Sequence, residues 1–121
     1  MLEMLAIFVG GGLGSCCRYL VSLGFSVSDY PFATLLANVL ACFILGYLTG
    51  CSFKNTLNSQ TKLFFGTGFC GGFSTFSTFS KEIFDMSQEA MKLTALAYLV
   101  ISVVLGLIAV YIGLFLATAK S

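Results

Sequence analysis

Apolar residues fill this chain in long runs, and the few charges mark where the runs end. Positions 4–28 hold one charged residue, Arg18, while positions 30–53, 63–80 and 93–119 hold none. About 20 apolar residues, each rising 1.5 Å in a helix, match a hydrocarbon layer about 30 Å thick. The pattern therefore predicts four membrane-spanning helices at about 5–26, 31–51, 61–84 and 93–117, joined by short connections. Helices pair their own backbone groups, which lipid cannot do for them, so the expected fold is an all-α membrane protein with 1–121 as a single transmembrane domain. Span two opens on Pro31, the only proline, expected in the first helical turn, where a missing N–H costs nothing.

The third run departs from the rule. In GTGFCGGFSTFSTFS, residues 66–80, ten of fifteen positions are Gly, Ser or Thr and four are Phe. Gly71 and Gly72 continue a helix poorly, and the hydroxyls of Ser74, Thr75, Ser77, Thr78 and Ser80 can re-pair backbone groups at a break. A break in mid-bilayer frees carbonyls, and those of Gly71 and Ser74 stand three residues apart, close enough to converge across a short non-helical turn. Two copies meeting there would offer four oxygens, which suits a small hard cation such as sodium and equally suits water. Beyond the break, Phe73, Phe76 and Phe79 recur every third residue. Packing is the ordinary role of such rings. Yet a ring edge carries positive potential and attracts an anion without the full charge that would trap it.

Three further polar features fall inside the spans. Asn38 lies roughly 10 Å along a helix from Pro31, where its amide suits either an anion or an interhelical hydrogen bond. Arg18, costly at depth, either snorkels beside Tyr19 or lends positive potential to a wet vestibule. Glu82, with Lys81, lines a mouth or forms an interfacial pair at the end of span three. Gly10 with Gly14, and Gly11 with Ser15, have the small-residue spacing of closely packed membrane helices.

Composition narrows the classes. Charged residues are 9% of the chain and the mean hydropathy is +0.98, against roughly 25% charge in soluble domains, so a water-soluble surface is not available. The first run starts from Glu3 rather than a basic cluster and lacks a small-residue cleavage site, so it is expected to be a span and not a removed leader. There is no histidine, which excludes histidine metal sites, bases and pH switches. The five cysteines are odd in number and sit within or near spans, where small buried hydrophobe is the expected role. With no intramembrane carboxylate pair and no phosphate-binding loop, an enzyme is not expected, nor is a nucleic-acid partner. Four spans put both termini on one side. Lys54, Lys62 and Lys120 then oppose Lys81 and Lys92, with Arg18 toward that second side, so the positive-inside bias is nearly nil. Such balance permits insertion in both orientations. A bundle this small has little room for a path inside one copy, which favours an oligomer.

The segments GGGLGSCCRY (10–19), PFATLLANVLACFILGYL (31–48) and GFCGGFSTFSTFSKE (68–82), in that order, resemble the signatures of the CrcB/Fluc family of small fluoride channels over essentially the whole length. The resemblance implies a fluoride-selective channel in the cell inner (plasma) membrane that exports fluoride passively and protects the cell from its toxicity. It also implies an antiparallel, dual-topology homodimer in membrane lipid, with two pores and a structural Na+ at the interface. Carried over by motif, the sodium ligands are the carbonyls of Gly71 and Ser74. Asn38 is the pore amide, Phe76 and Phe79 present ring edges to fluoride, and Ser77, Thr78, Ser102 and Tyr98 form a polar track. Arg18 and Glu82 match supporting positions. Ser74 replaces the threonine common in the family, and Ala33 with Thr34 replaces a Gly-Thr pair. A small multidrug exporter, also a four-span dual-topology dimer, predicts a membrane-embedded carboxylate that spans one, two and four lack. A non-transporting scaffold explains the glycines but not the clustered Phe, Ser and Thr.

Overall fold

A computed structural model describes residues 1–26 and 30–119; Lys120, counted in the charge balance, lies outside the described residues. Helix α1 covers Leu2–Gly24, α2 Phe32–Phe53 and α6 Lys92–Ala119, and these three are long and apolar enough to cross a membrane. Between α2 and α6 the chain is helical in pieces: α3 (Ser59–Lys62), a π-helical segment (Leu63–Cys70), α4 (Gly71–Phe73) and α5 (Phe76–Gln88). The architecture is all-α with one interrupted helix. Pro31 sits one residue outside α2 rather than in its first turn; its carbonyl accepts the Leu35 N–H at 3.1 Å and starts the helical ladder.

The interruption falls at Ser74 and Thr75, the far edge of the expected break, and not at the glycines themselves. Gly71 is helical (φ −63°, ψ −36°), whereas Ser74 (φ −82°, ψ 159°) and Thr75 (φ −154°, ψ 119°) are extended. Gly72 is needed for packing, since a methyl group there would overlap the Gly11 carbonyl, whereas Gly71 has open space beside it. Ser74 and Thr75 instead carry side chains that replace lost backbone bonds. Upstream, the expected α-helix is a π-helix, a wider turn often found at functional sites.

Two close-packed helix pairs make up the bundle. Gly10 and Gly14 of α1 press on the π segment, where added methyl groups would overlap the carbonyls of Phe64 and Phe69. Gly46 of α2 and Gly113 of α6 do the same across the other pair, against the carbonyls of Val110 and Phe43. Dispersion between backbones in contact drives such association in lipid, where burying an alkyl chain gains little. The interior is accordingly thin. One buried cluster joins Ala37 and Ala41 to Cys70 and Phe73, and another joins Phe79 and Met86 to Ala95 and Tyr98. Large apolar side chains such as Phe8 (78% exposed) and Leu107 (67%) point outward, as lipid-facing positions should.

Candidate functional site

The break is held by one side-chain amide. Thr75 donates its N–H to Asn38 Oδ1 at 2.8 Å, and its carbonyl accepts from Asn38 Nδ2 at 3.3 Å. Thr75 also caps α5, its hydroxyl accepting the Thr78 N–H at 3.2 Å. On the other side Ser74 closes α4 through two bonds to the Cys70 carbonyl, from its N–H at 3.0 Å and its hydroxyl at 2.7 Å. In a continuous helix the N–H groups of Thr75 and Thr78 would bond the carbonyls of Gly71 and Ser74. Both are used elsewhere, so those two carbonyls are left without their helical donors. The Gly72 carbonyl accepts from Arg18 Nε at 3.1 Å and from Ser15 Oγ at 3.5 Å. Arg18 therefore does more than snorkel: it ties α1 to the break, and it borders a small hollow of about 130 Å³ with Thr34, Thr75 and Thr78.

Beside the break, between α2 and α6, lies a cavity of about 310 Å³ whose walls include Asn38, Cys42, Phe76, Phe79 and Ser102. The rings of Phe76 and Phe79 stand 6.1 Å apart at 51°. Phe79 is buried (8% exposed) with its ring 5.1 Å from Tyr98 in an edge contact, whereas Phe76 is 79% exposed. Ser102 Oγ is buried and, among the described residues, has no hydrogen-bond partner. That is unusual for a helical hydroxyl. Thr49 and Thr118 donate to carbonyls one turn back, at 2.8 and 3.0 Å. The first N–H groups of α5, those of Phe76 and Ser77, have no partner within the helix and mark its positive end. Hydrogen-bonding side chains and aromatic rings thus line a space that no carboxylate borders. Such a surface suits a small anion.

A family model described as CrcB-like protein, Camphor Resistance (CrcB), matches residues 5–114. The "Fluoride-specific ion channel FluC" of Methanocaldococcus jannaschii is 46% identical over 118 residues, covering 97% of this chain and 95% of that protein. The chain belongs to the CrcB/FluC family of fluoride channels. The protein of the same name from Pyrococcus abyssi is 45% identical over 115 residues (93% and 94% of the two chains), and "Fluoride-specific ion channel FluC 2" of Bacillus subtilis is 43% identical over 110 (91% and 83%). This is a family of passive ion channels, and the chain is not an enzyme.

In this CrcB/FluC chain, Asn38, Ser74, Phe76, Phe79 and Ser102 meet at the one cavity. The other expected residues lie around it. Ser77 is exposed, 3.3 Å from the Thr75 hydroxyl. Thr78 faces the Arg18 hollow instead, and Tyr98 stands behind Phe79. Glu82 is neither a free mouth residue nor paired with Lys81: its carboxylate accepts from the Thr34 hydroxyl and the Tyr98 hydroxyl, each at 3.1 Å. Lys81 pairs with Asp85 at 2.6 Å. The half-buried carboxylate is thus a brace across α2, α5 and α6. Asn38 likewise commits its oxygen and one N–H to Thr75, leaving one N–H for a guest. Thr34, Cys42 and Thr75 were not singled out as site residues. Cys42 was legible as the residue one turn from Asn38 on the same helix face; the Thr75 hydroxyl re-pairs a backbone group at the break as expected, but the Thr75 backbone bonds to Asn38 and the Thr34 bond to Glu82 follow no spacing rule. Among the described residues no group of three His, Cys, Asp or Glu side chains is placed to hold a metal, so a cation would depend on backbone oxygens.

Proposed function

We propose that this chain forms a fluoride-selective channel that lets fluoride leave the cell passively and so protects it from fluoride toxicity. The observation that carries the reading is the carboxylate-free cavity at the break, lined by Ser102 with its unpartnered hydroxyl, by Asn38 and by the rings of Phe76 and Phe79. Each is a neutral donor of modest strength. A series of such groups replaces part of the ion's hydration yet releases it, which conduction requires. The names of the relatives supply the identity of the ion. Glu82 spends both carboxylate oxygens on Thr34 and Tyr98, which argues against a proton-coupled exporter built on a free membrane carboxylate.

The working unit is an antiparallel, dual-topology homodimer in the cell inner membrane, with two pores. Support comes from the face around Gly71, an exposed helical glycine where an added methyl group would meet nothing within 4 Å. A glycine with free space in its own chain is well suited to close approach by a second backbone. The carbonyls of Gly71 and Ser74, deprived of helical donors, fit the requirements of a hard cation, and from both copies they would hold one structural Na+. When bound, sodium would supply charge that fixes the two breaks together. The chain's own residues do the rest: Asn38 holds Thr75 extended, Arg18 holds the Gly72 carbonyl, and Phe79 is set against Tyr98.

Purified protein in liposomes loaded with fluoride, or with chloride, tests the function. Rapid fluoride efflux with little chloride efflux is expected, and absence of fluoride-selective flux would refute it. Exchanging sodium for a larger monovalent cation during purification should loosen the dimer. An equally stable dimer would count against the central cation.

A further inference from the structure

Cys42 of α2 and Cys70 of the π segment border one hollow of about 180 Å³, together with Thr67, Gly71 and Ser74. Cys70 is buried (3% exposed), Cys42 is half-buried, and both thiols are free. They stand close enough for a charge on one to act on the other. Cys42 and Ser74 also border the cavity at the break, so Cys42 lies between the two spaces. Its sulfur is 3.4 Å from where a methyl group on Gly106 would lie, and Gly106 belongs to the wall of the break cavity.

The donor set selects the guest. A buried cysteine is ordinarily a small hydrophobe, and Cys17, which packs against the same cluster as Cys70 but does not border the hollow, fits that role. Cys42 and Cys70 differ in offering two sulfurs, from two elements, to one space. No carboxylate borders that space, and among the described residues no group of three His, Cys, Asp or Glu side chains is placed to hold a metal. Tetrahedral zinc, which needs four ligands, is thereby excluded. Hard cations prefer oxygen. A soft monovalent cation of the copper(I) or silver type selects thiolates and is satisfied by a linear pair of them.

We infer that Cys42 and Cys70 form a soft-metal site, in which one copper(I)- or silver-type ion ties α2 to the π segment and closes the fluoride path beside it. On binding, each thiol gives its proton to water and its sulfur to the metal. Two thiolates around one monovalent cation leave a single net negative charge, on the wall of a cavity that no carboxylate borders. At a separation of about 6 Å and an effective dielectric constant of about 20, that charge lowers occupancy by an anion roughly 100-fold. The second copy proposed above covers the Gly71 and Ser74 side of the hollow and leaves the Cys42 side, on the break cavity, as the approach. The closure rests on the channel reading, whereas the metal site stands without it.

The test adds silver ion alone, in chloride-free buffer, to liposomes containing the full chain. Fluoride efflux by wild type and by Cys17→Ala should fall about 100-fold at saturating silver. Losing one arm of a chelating pair weakens binding about 100-fold or more. Cys42→Ala and Cys70→Ala, each compared with its own silver-free rate, should therefore need about 100-fold more silver for half-block. Alanine keeps both positions small and apolar, and size-exclusion chromatography checks that each variant folds. A wild type that silver does not block, or a half-blocking concentration unmoved in either variant, would overturn the inference. X-ray absorption at the silver edge of the one-to-one complex reads the site without any flux: a pair of sulfur neighbours is expected in wild type and a single one in either variant. A single sulfur in wild type would overturn the site even where the channel conducts. Wild type that carries no fluoride before silver is added would instead refute the channel reading, and the absorption result would then decide the site.

Discussion

Ser102→Ala removes one oxygen from the wall of the break cavity, and that oxygen has no bond to lose. A buried hydroxyl without a partner costs roughly 1–3 kcal/mol. Because Ser102 borders a cavity large enough for water, the lower end applies, and alanine should stabilise the protein by about 1 kcal/mol. For a domain of this size that raises the melting temperature by about 4 °C. The same oxygen is proposed to meet the passing ion, and a hydrogen bond to a charged group contributes about 1.5 kcal/mol or more, so flux should fall about tenfold. Stability and conduction are thus expected to move in opposite directions. Thermal unfolding in detergent measures the first and fluoride efflux from liposomes the second. Added fluoride should also raise the melting temperature of wild type more than that of the variant, since a ligand stabilises the state that binds it. A variant that melts at or below the wild-type temperature and conducts normally would refute the reasoning, because the hydroxyl would then have a partner other than the ion.

Phe76→Ile should reduce fluoride flux about tenfold or more while changing stability by less than about 0.5 kcal/mol, since the ring is largely exposed in its own chain; undiminished flux would mark it as packing. Phe79→Ile should lose flux and also about 1 kcal/mol, measured by denaturant unfolding, because its edge contact with Tyr98 goes with the ring. Glu82→Leu strands the hydroxyls of Thr34 and Tyr98 and should cost about 3 kcal/mol by the same assay, whereas Glu82→Gln should cost about 1 kcal/mol or less. Gly14→Val drives a side chain into the Phe69 carbonyl and the Phe73 backbone and should abolish recovery of folded protein, while Gly12→Val, with nothing within 4 Å, should be recovered normally by size-exclusion chromatography.

The spans were legible because charge is so expensive in lipid that its absence alone outlines them: α2 and α6 coincide with their predicted runs to within about two residues. The interruption in the third was also legible, but not its position. Glycine weakens a helix without saying which residue will leave it, and here close packing on α1 kept Gly72 helical while Thr75 could form its alternative bonds. The π segment carried no signal, since its Phe and Gly residues suit an α-helix equally in composition. The partners of Glu82 and Lys81 were not legible for a different reason. Sequence neighbours point to different sides of a helix, so Lys81 found Asp85 one turn on, and Glu82 turned inward to hydroxyls on α2 and α6. Long-range partners of that kind are set by tertiary packing, which no local pattern encodes.

Starting α5 at Phe76 has an electrostatic consequence. A helix that crossed the bilayer whole would place both ends of its dipole in water, where solvent screens them. In the proposed channel the interrupted one would place its positive end inside, where the dielectric is low and the field persists. That attraction is made of peptide N–H groups, supplemented at the cavity by an amide, a hydroxyl and ring edges, none of which ionises between pH 5 and pH 9. The selective part of the path is therefore expected to keep its affinity through swings of acidity that would discharge a histidine-lined pore, and the chain has no histidine anywhere to lose.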